Sequence, residues 1–185
     1  MGEEARGRLP DFEPDALSSL CRAVALGSLR LGPQKQLMSA LAAEAEARAR
    51  SAAFGPREIV VVASAFALSS RPARPSLYGA LASEARRQIE GFKPEELCSI
   101  AQAFKQAERA AADSGAAAGG GAAAGRRLGS AGDGAAAAGG GAARDAFLEA
   151  LSEAACARQV ELSDEQRSSL VSSLREMGLS DPFRD

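Results

Sequence analysis

The chain contains no histidine and no tryptophan, one tyrosine (Tyr78), and three widely separated cysteines, Cys21, Cys98 and Cys156. Without histidine, Ser-His-Asp and Cys-His catalysis and most zinc sites are excluded. The cysteines form no CxxC pair, and an odd, scattered set points to reduced thiols rather than a secreted disulfide framework. Aromatics make up only 4% of the residues, while the 46% hydrophobic fraction leans on alanine. A thin, helical core is expected from that composition, with few platforms for stacking bases. No apolar run approaches the roughly 18 residues of a membrane span, so no membrane partner is expected. The start, Met1 to Arg6, lacks a signal-peptide apolar region and is too acidic for a transit peptide, so the expectation is either a cytoplasmic chain or one whose true N-terminus is missing from this sequence.

Charge of one sign is also missing. The formal net charge is −2, which marks neither a strongly basic nucleic-acid protein nor an acidic tail. The distribution is uneven: residues 12–110 hold 13 Lys/Arg against 10 Asp/Glu, and residues 144–185 hold 5 against 9. No GxxxxGK[ST] motif is present, and the Gly-rich segment follows no strand, so a phosphate loop is not expected. No pair of carboxylates sits where two environments would split their pKa values. The expectation is a non-enzymatic chain with no catalytic residue, metal site, cofactor or small-molecule substrate.

What is present is a repeat. Phe54, Pro56, Ile59, Val62, Ala63 and Phe66 recur 38 residues later as Phe92, Pro94, Leu97, Ile100, Ala101 and Phe104. Apolar residues follow the leading aromatic at five, eight, nine and twelve positions. A looser copy runs through Phe12, Pro14, Leu17, Leu20, Cys21 and Val24. A fourth runs through Leu162, Leu170, Val171 and Leu174, with Arg167 breaking position five. The apolar positions share one stripe at about 100° per residue, so each copy reads as an amphipathic helix. Proline two residues after the aromatic suits a first helical turn, and Asp15, Glu58, Glu95 and Glu96 complement the positive N-terminal dipole. In the fourth copy Ser163 and Gln166 form a capping box.

A second helix follows each of the first three copies, aligned on Leu37 and Leu41, Leu77 and Leu81, and Phe147 and Leu151. Turns are expected at Gly32-Pro33 and across Arg71 to Pro75. The third unit is interrupted by an Ala/Gly-rich stretch, 111–143, which lengthens the connection by 32 residues relative to the second unit. Loop-closure entropy makes that cost only about 1.5–2 kcal/mol. The fold expected is all-α: a short right-handed α-solenoid of about three and a half helical hairpins over residues 12–179, interrupted by a disordered loop at 111–143. Residues 1–11 and 180–185 are expected to be flexible. Glu44 and Glu84 recur on the second helices and are expected to make edge or inter-repeat contacts.

With catalysis unsupported, function is sought on the surface. Ten positions after the aromatic the first helices carry Arg22, Ser64, Gln102 and Ser172; at thirteen they carry Ala25, Ala67, Lys105 and Arg175. One hydrogen-bonding side chain per repeat is how helical-repeat RNA binders address successive bases. Arg22, Ser64, Gln102, Lys105 and Arg175 are therefore the candidate RNA-binding residues. The alternative is a protein–protein scaffold without RNA contact.

The pattern Phe-x-Pro-x-Glu-[Ile/Leu] followed by Ala-[Ser/Gln]-Ala-Phe, best carried by residues 54–106, resembles the degenerate helical-hairpin repeats of organellar RNA-associated proteins. These include octotricopeptide- and heptatricopeptide-like repeats, the repeats that precede RAP domains, and those of RNA-editing substrate-binding complex proteins. The resemblance implies an α-solenoid of the mitochondrion or plastid that acts in RNA processing or ribosome assembly. Its implied partners are single-stranded RNA or rRNA and other proteins of an organellar RNA complex.

Overall fold

The computed structural model describes residues 7–27, 34–69, 75–118 and 136–183, with side chains at 7–27, 36–69, 75–113 and 141–183. Among the described residues there are seven α-helices and no strand. They are α1 (Pro14–Gly27), α2 (Gln34–Arg50), α3 (Pro56–Leu68), α4 (Pro75–Arg87), α5 (Pro94–Ala118), α6 (Ala136–Ala157) and α7 (Asp164–Glu176). Short 3-10 turns at Leu9–Asp11 and Ile89–Gly91 precede α1 and α5.

The first helices of the second, third and fourth copies start by one shared device. The fourth residue after the leading apolar residue reaches back to the backbone in front of the helix. Glu58 accepts from the Gly55 N–H at 3.0 Å, Glu96 from the Lys93 N–H at 2.8 Å, and Gln166 from the Ser163 N–H at 2.8 Å. Ser163 completes its box by accepting from the Gln166 N–H at 3.2 Å. Each contact satisfies a donor that the helix itself leaves open. Pro56 and Pro94 occupy the first helical position, where no N–H is needed.

Packing follows the repeat. Each helix lies chiefly against the helix two further along: α1 on α3, α3 on α5 and α5 on α7, and likewise α2 on α4 and α4 on α6. First helices thus form one layer and second helices the other. The core lies between them. Ile59, Val62 and Phe66 of α3 and Leu97, Ile100 and Phe104 of α5 are all buried. Phe104 sits between Tyr78 of α4 and Phe147 of α6, with ring centroids 5.1 and 5.0 Å away. Edge-on and tilted contacts of this kind join both layers at the middle of the chain. The Tyr78 hydroxyl is satisfied by the Ala63 carbonyl at 2.8 Å.

A second repeated device closes the base of each hairpin. Seven residues after Leu41, Leu81 and Leu151 stand Arg48, Gln88 and Arg158. Arg48 donates to the Pro10 carbonyl at 2.9 Å, Gln88 to the Phe54 carbonyl at 2.8 Å, and Arg158 to the Phe92 and Glu90 carbonyls. Each ties the end of a second helix to the loop in front of its own first helix. Glu44 holds Arg48 at 2.9 Å, and Glu84 engages both Gln88 and Arg87. The recurring glutamates therefore act within their own helix to aim the clamp, not between repeats.

Several boundaries differ from expectation. Helix α5 runs on to Ala118 and α6 opens at Ala136, so both ends of the stretch 111–143 are helical rather than disordered. Alanine has the highest helix propensity and prolongs the flanking helices. Residues 119–135 lie outside the described residues, as do the turn at Gly32-Pro33 and residues 71–74. Near the N-terminus Leu9 is buried, and beyond position 180 Asp181 pairs with Arg175 at 2.9 Å while Phe183 rests against the core.

Candidate functional site

The outer surface of the first-helix layer carries the five candidate residues. Arg22 lies on α1, Ser64 on α3, Gln102 and Lys105 on α5, and Arg175 on α7. Because these helices stack in order, the repeat positions become rows running across the layer. Arg22, Gln102 and Ser172 are exposed and Ser64 is half-buried, so this row faces solvent along the layer.

Contacts divide the five. Gln102 donates its amide to the Ser169 hydroxyl at 2.7 Å, which bridges α5 to α7. Lys105 lies 3.7 Å from a Glu176 carboxylate oxygen, and Arg109 pairs with the other oxygen of the same carboxylate. Arg175 is held by Asp181. The layer's cations at its C-terminal end are thus neutralised by neighbouring carboxylates. Arg22, by contrast, is exposed and makes no ion pair among the described residues.

A feature that position-by-position reading of the polar rows missed lies one step further along. Leu26 of α1 and Leu68 of α3, both fourteen positions after the aromatic, are 59% and 61% exposed. They occupy the same repeat position on adjacent helices. The available signal was that this row reads Leu, Leu, Gln, Glu, which is apolar on only the first two repeats.

A depression of about 590 Å³ lies open on α7, between Arg167, Val171, Ser172, Arg175, Asp181 and Phe183. Arg167 is bound by Asp164 at 2.6 Å, so opposite charges alternate along its wall. No cluster of metal-ligating side chains occurs among the described residues, and no described helix is long and apolar enough to cross a membrane. Burial pushes the Cys21 thiol up to about 12, and burial followed by the nearby Glu95 carboxylate raises Cys98. Both remain neutral thiols at ordinary pH, which makes them poor nucleophiles. Tyr78 is likewise raised by burial. Compared with protein-family models, with curated proteins and with solved structures, the chain matches none.

Proposed function

We propose that the two helix layers form a short right-handed α-solenoid that works without catalysis as a helical-repeat component of an RNA–protein complex. The first-helix layer contacts single-stranded RNA through the row of Arg22, Ser64 and Gln102. The observation that carries this reading is the row itself, since one repeat position presents a hydrogen-bonding side chain on each of four stacked helices. Arg22 supplies the unpaired charge. Lys105 and Arg175 contribute only if RNA displaces Glu176 and Asp181 from them. The resemblance of residues 54–106 to organellar repeats supports a mitochondrial setting in RNA processing or ribosome assembly.

Titration of labelled single-stranded RNA at two salt concentrations tests this. For single strands the slope of log affinity against log salt is about −0.7 per phosphate neutralised. Arg22 alone therefore predicts a shallow slope, and exchange of the two C-terminal ion pairs a steeper one. Replacing Arg22 and Gln102 by alanine is expected to weaken binding with helicity unchanged. No binding at low salt by folded protein sinks the RNA reading.

A second reading, a protein scaffold without RNA contact, is favoured by Leu26 and Leu68. Two exposed leucines at one repeat position on neighbouring helices suit an apolar protein partner better than a phosphate backbone. Under that reading Leu26→Asp with Leu68→Asp abolishes partner binding, and Arg22→Ala leaves it intact.

A further inference from the structure

We infer, in a step that rests on the RNA reading, that Lys105, Arg109 and Arg175 form a phosphate-binding patch which the chain holds closed with its own carboxylates. Glu176 and Asp181 occupy these cations in the free protein and compete there with RNA phosphate. Arg109 thereby becomes a further contact residue, and the two carboxylates regulate the surface. On α5, Gln102, Lys105 and Arg109 stand at i, i+3 and i+7 and share one face of the helix. Gln102 meets Ser169 and the two cations meet Glu176, all on α7. The cations thus continue the hydrogen-bonding row along α5.

How Glu176 is held marks it as a stand-in for phosphate. Its two oxygens are divided between two cations: Lys105 Nζ lies 3.7 Å from Oε1, and Arg109 binds Oε2. A phosphodiester offers two unesterified oxygens in the same way, and the same cations pair with carboxylate and with phosphate. Glu176 is also the last residue of α7, where the negative end of the helix dipole favours cations over carboxylates. Its own helix therefore disfavours a charge that only the α5 cations retain. Asp181 covers Arg175 from beyond the helix. One of its oxygens accepts from the Arg175 guanidinium at 2.9 Å and the other from the Phe183 N–H at 3.1 Å. Phe183 packs against the core and so fixes the carboxylate in place. The Glu176 side chain is 34% exposed and that of Arg175 56%, so solvent reaches both pairs. Ion pairs open to water contribute little, which leaves them exchangeable for phosphate.

Titration of the full chain with labelled, unstructured single-stranded RNA at low salt tests the proposal. Glu176→Gln, which frees two cations, should tighten binding by about fivefold, and Asp181→Asn, which frees one, by about twofold. Arg109→Ala should cancel most of the gain in the Glu176→Gln background and change wild-type affinity far less. Urea denaturation should place Glu176→Gln close to wild type, because relief at the helix end offsets the lost pairs. Glu149→Gln removes an exposed carboxylate from α6 in the other layer and should leave binding unchanged. RNA binding by wild type that Glu176→Gln fails to tighten overturns the proposal and leaves the RNA reading standing. Equal tightening by Glu149→Gln overturns it too, since net charge alone would then govern affinity. If neither wild type nor the variant carrying both Glu176→Gln and Asp181→Asn binds RNA, the patch and the RNA reading fall together.

Discussion

Ile59 and Arg167 hold the same place in the repeat, yet the first is fully sealed and the second stands half in water beside Asp164. The middle hairpin, α3 with α4, has helices before and after it and buries even Gly79, Ala82 and Glu84. Helix α7 has α5 on one side and no second helix of its own among the described residues. Burial at a repeat position is therefore a property of the neighbours, and residue type follows the neighbours available. Where a covering helix exists the position is aliphatic; where it does not, arginine is tolerated.

The sharpest way to test this contrast is to truncate both residues. Ile59→Ala should cost about 2–5 kcal/mol, the usual range for a sealed aliphatic side chain, because the middle hairpin cannot collapse onto the cavity. Arg167→Ala should stay within about 0.5 kcal/mol. Equilibrium denaturation with urea reads both, and similar losses at the two sites would refute the contrast.

The base clamp extends the comparison, because α1–α2, α3–α4 and α5–α6 each have one and α7 has none among the described residues. Gln88→Ala should cost about 1–2 kcal/mol, for it removes a bond to the Phe54 carbonyl and leaves the buried Glu84 with Arg87 as its remaining partner. Hydrogen exchange at the start of α3 should accelerate with it. Unchanged exchange there would show that the clamp does not hold the hairpin base.

Position nine sets Cys21, sealed, against Val171, half open. The unfolded chain releases the Cys21 proton near the ordinary value of 9.0 and the folded chain only near 12. Between those values the unfolded state binds fewer protons, so stability falls as pH rises, by about 1.4 kcal/mol per unit. Below pH 9 both states are protonated and the effect vanishes. Cys21→Ala should flatten the alkaline limb of thermal melts between pH 9 and pH 11, and a limb left unaltered would contradict the burial of this thiol.

The smallest effect belongs to the paired cations of the first-helix layer. Arg175→Ala removes a half-exposed ion pair with Asp181 and should change stability by less than about 0.5 kcal/mol. A loss above about 1 kcal/mol would mean that the segment at 181–183 is a structural part of α7 rather than a surface strap.

Much of this architecture was legible because hairpins repeat. Phe66 and Phe104, with Ile59, Val62, Leu97 and Ile100, read as core from spacing alone and are core. The Ser163–Gln166 box was likewise visible, since capping depends on residues three apart. The candidate surface was legible only as rows. That Lys105 and Arg175 face carboxylates was not, because Glu176 and Asp181 reach them only through the packing of α5 on α7 and the return of the chain after α7. The clamps at Arg48, Gln88 and Arg158 lay in plain spacing from the recurring leucines, but their acceptors are backbone carbonyls, which every residue possesses.

By itself, then, the sequence determined the helices, their caps and the stripe each one buries, since these follow from interactions within a few residues along the chain. Only the tertiary structure decided which equivalent positions are sealed and which stay open, and which cations are neutralised. Those outcomes depend on side chains brought together from distant stretches, and on whether a neighbouring helix is there to exclude water.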